Sequence, residues 1–116
     1  MTHSSAAAAV LRRAAALIDD LGWCQRTNAQ AANGKTVLSD DPDAARWCAY
    51  GAIRRVAAGP ESSPRAVVEA CHVLAQFIDP EATSTADITT WNDDDARTKA
   101  EVVAALRDVA NAAEQR

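Results

Sequence analysis

Apolar residues recur along most of the chain at the spacing of an α-helix. Val10, Ala14, Leu17, Ile18 and Leu21 share one side of a helical wheel, while Arg12, Arg13, Asp19 and Asp20 mostly take the other. Ser4 or Ser5 can cap this first helix. Gly22 is placed to close it as a left-handed C′ residue, which sets Trp23 at C″ against Ile18 in a Schellman ending. A second helix is predicted from Asp41 as N-cap and Pro42 as N1 to about Ala58, where Gly59-Pro60 stops it. Its stripe is Ala45, Cys48, Ala49, Ala52, Ile53 and Val56. Gly51 interrupts that helix at a cost of about 1 kcal/mol relative to alanine, for which close approach of another backbone is a physical reason. Ser63-Pro64 opens a third helix that ends near Asp79-Pro80, with Val67, Cys71, Leu74 and Ile78 inward and Arg65, Glu69, His72 and Gln76 outward. Thr98 and Glu101 form a capping box for the last helix, whose inward face is Val102, Ala105, Leu106, Val109 and Ala113.

Two stretches break the helical period. Asn33-Gly34 is a type I′ turn signal, flanked by Thr27–Ala32 and by Lys35–Leu38, which predicts a small hairpin or an ordered loop. From Glu81 to Arg97 the chain is polar, and one helical turn there points Ile88 and Trp91 the same way. The expected fold is mainly α: one domain over residues 1–116, a small four-helix bundle-like structure with a short hairpin or ordered loop between helices 1 and 2.

Composition adjusts this picture in two ways. Hydrophobic residues make up 48% of the 116 residues, but much of that share is alanine, so the core depends on few large side chains. The net charge of −4 argues against general nucleic-acid binding, leaving Arg12-Arg13 and Arg54-Arg55 as local basic pairs. No apolar run approaches the roughly 20 residues of a membrane helix, and the stretch from Met1 to Val10 is a poor secretory signal. Cys24, Cys48 and Cys71 are odd in number and far apart, so reduced thiols in a cytoplasmic protein are expected.

The most distinctive chemistry lies in two Trp-Cys dipeptides, Trp23-Cys24 and Trp47-Cys48, and in Trp91-Asn92-Asp93. If folding brings the tryptophans together, they form either the heart of the core or the wall of a pocket. Cys48 and Cys71 fall on apolar stripes and read first as small buried hydrophobes. Cys24, just past a helix end, is the candidate for exposure, and Cys48, about two turns into its predicted helix, gains little from the helix dipole. A Cys-His-Asn set of Cys24 or Cys48 with His72 and Asn92 can be assembled on paper, but His72 shares a wet face with Glu69 and Gln76. No C-x-x-C or H-x-x-x-H pair suggests a zinc site, and Asp93-Asp94-Asp95 lacks the spaced ligands of a calcium loop. No metal or cofactor is expected.

Gly22-Trp23-Cys24-Gln25, Arg46-Trp47-Cys48-Ala49 with Gly51-Ala52-Ile53, Trp91-Asn92-Asp93, and Thr98 with Glu101-Val102 and Leu106 together resemble a family of small proteins of unknown function from actinobacteria and their phages. The matching blocks run from the first helix to the last. The resemblance implies a small cytoplasmic or phage-encoded protein and transfers no activity. The residues themselves point to a non-enzymatic binding or regulatory module acting through protein contacts. Its candidate residues are Trp23, Cys24, Gln25, Trp91, Asn92 and Asp93, then Trp47 and Tyr50, which share a side of the second predicted helix with Arg54 one turn on. The alternative is a cysteine-dependent enzyme or thiol sensor using Cys24 or Cys48.

Overall fold

Helix α1 spans Thr2–Asp20 and turns Ala7, Ala8, Val10, Leu11, Ala14, Ala15 and Ile18 into the core. The computed structural model describes residues 2–60, 62–82 and 84–115, with side chains from Ser5 onward. The helix starts ahead of Ser4 and Ser5, which lie within it instead of capping it. Leu21 falls beyond its last turn and is exposed, against its expected place on the stripe. The Schellman ending does not form either. Gly22 has φ +159°, so the chain passes directly from the helix into an extended segment, where Gly22 O accepts from Trp47 N at 3.1 Å. A Cβ on Gly22 would meet Arg46 Cγ at 2.9 Å, which keeps this crossing to a glycine.

A two-stranded antiparallel sheet follows, β1 (Ala29–Ala31) with β2 (Ala44–Trp47), in the register Ala29↔Trp47, Gln30↔Arg46 and Ala31↔Ala44 with an irregularity after Gln30. The turn at Asn33-Gly34 exists but is not type I′. Gly34 N donates to Ala31 O and Ala31 N to Lys35 O, both at 2.9 Å, with Gly34 alone left-handed at φ +89°. This is a three-residue loop ending in a bulged glycine, so Asn33 never takes the positive φ that a type I′ turn demands. Its Oδ1 accepts from Lys35 N instead. The return arm touches β1 only at a bridge, Gln30↔Thr36.

Helix α2 spans Ala49–Ala57, about two turns shorter than its sequence pattern predicts. Asp41-Pro42 does not start it. Asp41 Oδ1 accepts from Asp43 N and Asp41 O from Ala44 N, forming a turn that feeds β2. Residues Ala44–Trp47 keep an extended backbone because both edges of Trp47 find partners. One side faces β1, and on the other Trp47 N and O bond Gly22 O and Cys24 N. The α2 N-cap is Cys48, whose Sγ accepts from Gly51 N at 3.2 Å.

Helices α3 (Pro64–Ile78) and α5 (Lys99–Glu114) start as their sequences predict. Ser63 Oγ accepts from Ala66 N at α3, and Thr98 and Glu101 exchange both capping-box bonds at α5. A short α4 (Ala86–Asn92) carries Ile88 into the core. Among the described residues there are thus five helices and a two-stranded sheet: mainly α as expected, with five helices where four were predicted. The first and last helices pack together. α1 and α5 lie antiparallel, with Arg12 paired to Glu114 at 2.8 Å and Arg107 to Asp19 at 3.2 Å. Alanines on both facing stripes let the two backbones approach closely. None of the described helices is long and apolar enough to cross a membrane.

Candidate functional site

The side chain of Asn92, at the end of α4, is completely buried and uses its amide in full. Its Oδ1 accepts from the Trp23 indole Nε1 at 2.8 Å and from Ala49 N, in the first turn of α2, at 3.0 Å. Its Nδ2 donates to Cys24 O and to Asp93 Oδ1, both at 3.1 Å. A buried amide is tolerated only when its donors and acceptor are matched, and here they are.

Around this amide the segment after α1 is stitched to the loop after α4. Gln25 Nε2 donates to Asn92 O at 3.0 Å and Asp94 O at 2.8 Å, and Arg26 N donates to Asp93 Oδ1 at 2.8 Å. Arg26 also pairs with Asp95. It carries a left-handed backbone, φ +68°, uncommon for a non-glycine residue, and the bond from its N–H to Asp93 helps hold it there. On the outer side, Arg97 stacks 4.4 Å from the centre of the Trp91 ring and donates to Trp91 O at 3.0 Å.

Of the residues singled out by sequence, Trp23, Cys24, Gln25, Cys48, Asn92 and Asp93 come together, with Trp47 in the strand beneath. Their polar groups are largely spent on one another. Trp47 is buried and donates its indole N–H to Ser39 O at 2.9 Å. It does not share a helix face with Tyr50, since the helix starts two residues after it. Cys24, expected to be accessible, is buried. Cys48 is buried too, but as a helix N-cap and not two turns in. Burial raises both thiols. Cys24 is pushed up to about 12, with the neighbouring Cys48 and Asp93 adding to burial and Arg46 opposing it. For Cys48 the N–H groups of Gly51 and Tyr50 only partly offset the burial.

His72 does not join them. It is exposed in a different place, a groove of about 290 Å³ between α2, α3 and the segment leading into α4, whose walls include Tyr50, Arg54, Val67, Val68 and Cys71. Burial lifts Cys71 to about 11, with Arg54 opposing. A second, wider depression of about 620 Å³ lies between α2 and the loop carrying Thr36 and Leu38. Arg54 lines both, and no hydrogen bond or ion pair among the described residues engages its guanidinium. Leu38 and Val68, one in each wall, are 75% and 69% exposed. Sequence reading passed over Val68, although it is an apolar residue between Arg65, Glu69 and His72 on a wet face, and that mismatch was the available signal. Other arginines of the two basic pairs are occupied: Arg12 by Glu114, and Arg55 by Asp41 O and the Trp47 ring.

No curated protein and no solved structure matches the chain. Residues 2–112 match the model of DUF6197, a family of unknown function, and the chain belongs to that family.

Proposed function

We propose that the protein is a non-enzymatic binding module that docks an apolar, carboxylate-bearing segment of a partner protein across the face centred on Arg54. The observation that carries this reading is the unengaged guanidinium where two depressions meet, flanked by exposed Leu38 and Val68. Arginine and tyrosine dominate binding energy at protein interfaces, and Tyr50 lies one turn from Arg54 in the same groove. Adjacent exposed aliphatics supply area to bury, and the guanidinium supplies two parallel donors to a carboxylate. The Trp-Cys-Asn cluster acts in this reading as the scaffold that anchors α2, because its polar groups bond one another. The odd cysteine count supports the reducing cytoplasm as the place of action.

Selection of a random peptide library on the folded protein tests this. Selected peptides are expected to combine aliphatic residues with Asp or Glu and to shift the amide resonances of α2 and α3. Arg54→Glu and Val68→Asp should each weaken them at least about tenfold, or about 1.4 kcal/mol. Peptides that map elsewhere, or that bind both variants unchanged, overturn the reading.

A further inference from the structure

The two Trp-Cys dipeptides lie side by side. Trp23 and Trp47 form a parallel bridge, and Cys24 N donates to Trp47 O at 3.2 Å, so the carbonyl that precedes Cys48 is bonded to the backbone of Cys24. Neighbouring extended segments run about 4.8 Å apart, inside the roughly 4.4–6.8 Å that separates the Cα atoms of a disulfide. Both thiols also point at one short stretch of chain. Cys24 Sγ donates to Thr27 O at 3.6 Å, and Cys48 Sγ to Asn28 Oδ1, of the next residue, at 3.7 Å.

We propose that Cys24 and Cys48 are a dithiol pair that closes reversibly into an intramolecular disulfide by exchange with a small-molecule disulfide. Cys48 is the attacking thiol. Its Sγ sits at the N-terminus of α2, accepting from Gly51 N, where a developing thiolate is favoured. Although buried, it also borders a surface depression of about 230 Å³, with Arg26, Asn28, Thr89 and Asp93 among its other walls, and this is the side from which a reagent would approach. The Cys48 thiolate attacks one sulfur of the reagent, a new S–S bond forms, and the reagent's other sulfur leaves as a thiolate that takes up the proton Cys48 released. Cys24, deprotonated in turn, attacks the Cys48 sulfur and expels the second reagent thiol. Two protein thiols are oxidised and one reagent disulfide is reduced to two thiols. Burial keeps both protein thiols protonated at neutral pH, so the exchange is slow there and speeds up with alkalinity. Cys71 lies in the groove with Tyr50 and His72 and takes no part.

The test incubates the folded full chain with oxidised glutathione at pH 7 and pH 8, then quenches with acid, unfolds the chain in the presence of an alkylating agent and maps the thiols by mass spectrometry. The expected result is a fall from three free thiols to one. It should come with a cross-linked peptide joining Cys24 to Cys48, a monomer mass lower by two hydrogens, and full reversal by a dithiol reductant. The rate should rise nearly tenfold per pH unit while the attacking thiol remains mostly protonated, and Cys71→Ser should behave as the wild type. Chain unfolded in urea, where any two of the three cysteines can pair, provides the unselective baseline. Three thiols persisting in the folded protein, a lasting glutathione adduct on Cys48 with Cys24 free, or a linkage through Cys71 overturns the proposal. The pair does not depend on the docking face, and neither outcome bears on it.

Discussion

Cys24, Cys48 and Cys71 are all buried, and burial raises all three thiols, Cys24 to about 12 and Cys71 to about 11. In the unfolded chain a thiol titrates near about 8.5, so the folded values lie above the unfolded ones. The sign follows from proton counting. Above the unfolded value, the unfolded chain has lost protons that the folded chain still holds, so stability is complete at lower pH and falls as pH rises. Each thiol contributes a slope of up to about 1.4 kcal/mol per pH unit in this window. Urea midpoints measured under reducing conditions should be level between pH 7 and 8 and drop steeply between 9 and 11. Cys71→Ala should make that drop shallower than in the wild type, and equal slopes would show that Cys71 titrates alike in both states. The burial of these cysteines was partly legible in sequence, because Cys48 and Cys71 sit among alanines and aliphatics. The burial of Cys24 was not, since it depends on α2 and the loop after α4 closing over a segment far away in sequence.

At the scale of elements, α2 shows best how tertiary contacts overrode local grammar. Asp41-Pro42 has the form of a helix start, and the stripe from Ala45 to Val56 has helical spacing. Yet Trp47 finds extended partners on both sides, and the helix begins only at Ala49. The glycine in its first turn is explained by the same crossing. A Cβ at Gly51 would lie 1.9 Å from Asn28 O, within the segment that leads into β1, as its mid-helix position suggested. Replacing Gly51 with alanine gains about 1 kcal/mol of helix propensity, but the clash with backbone costs more. Gly51→Ala is expected to lose about 3 kcal/mol net, in the range of severe overpacking, read as a lower urea midpoint at unchanged slope. A variant as stable as the wild type would mean that α2 can shift away from Asn28. By contrast, α3 and α5 begin at their predicted caps because Ser63 and Thr98 satisfy the first N–H groups from within their own turns, with no distant partner needed.

Across the whole molecule, Asn92 joins three parts of the chain that are remote in sequence: the segment after α1, the start of α2 and the loop before α5. Removing its amide leaves the Trp23 indole N–H, the Ala49 N–H and the Cys24 carbonyl without their partner. Each unmatched buried group costs about 1–3 kcal/mol. Asn92→Ala should therefore destabilise the protein by about 3 kcal/mol or more, with tryptophan fluorescence and circular dichroism melting together at a lower temperature. A loss below about 1 kcal/mol would mean that water replaces the amide and that the three segments are held by apolar packing alone. Should Asn92→Ala fold and still bind peptides at the Arg54 face, scaffold and docking surface would be shown to be separate.

The amino-acid order by itself determined what short-range physics controls: a mainly helical chain, its apolar stripes, the caps at Ser63 and Thr98, and a turn at Asn33-Gly34. Each of these depends on residues within a few positions of one another. Tertiary structure alone decided that Ala44–Trp47 is a strand, that Cys48 is a cap, that Asn92 is a fully bonded internal amide, and that His72 stands apart from the other cysteine–asparagine candidates. Those outcomes rest on hydrogen bonds and burial between residues twenty to seventy positions apart, and periodicity along a single chain carries no record of them.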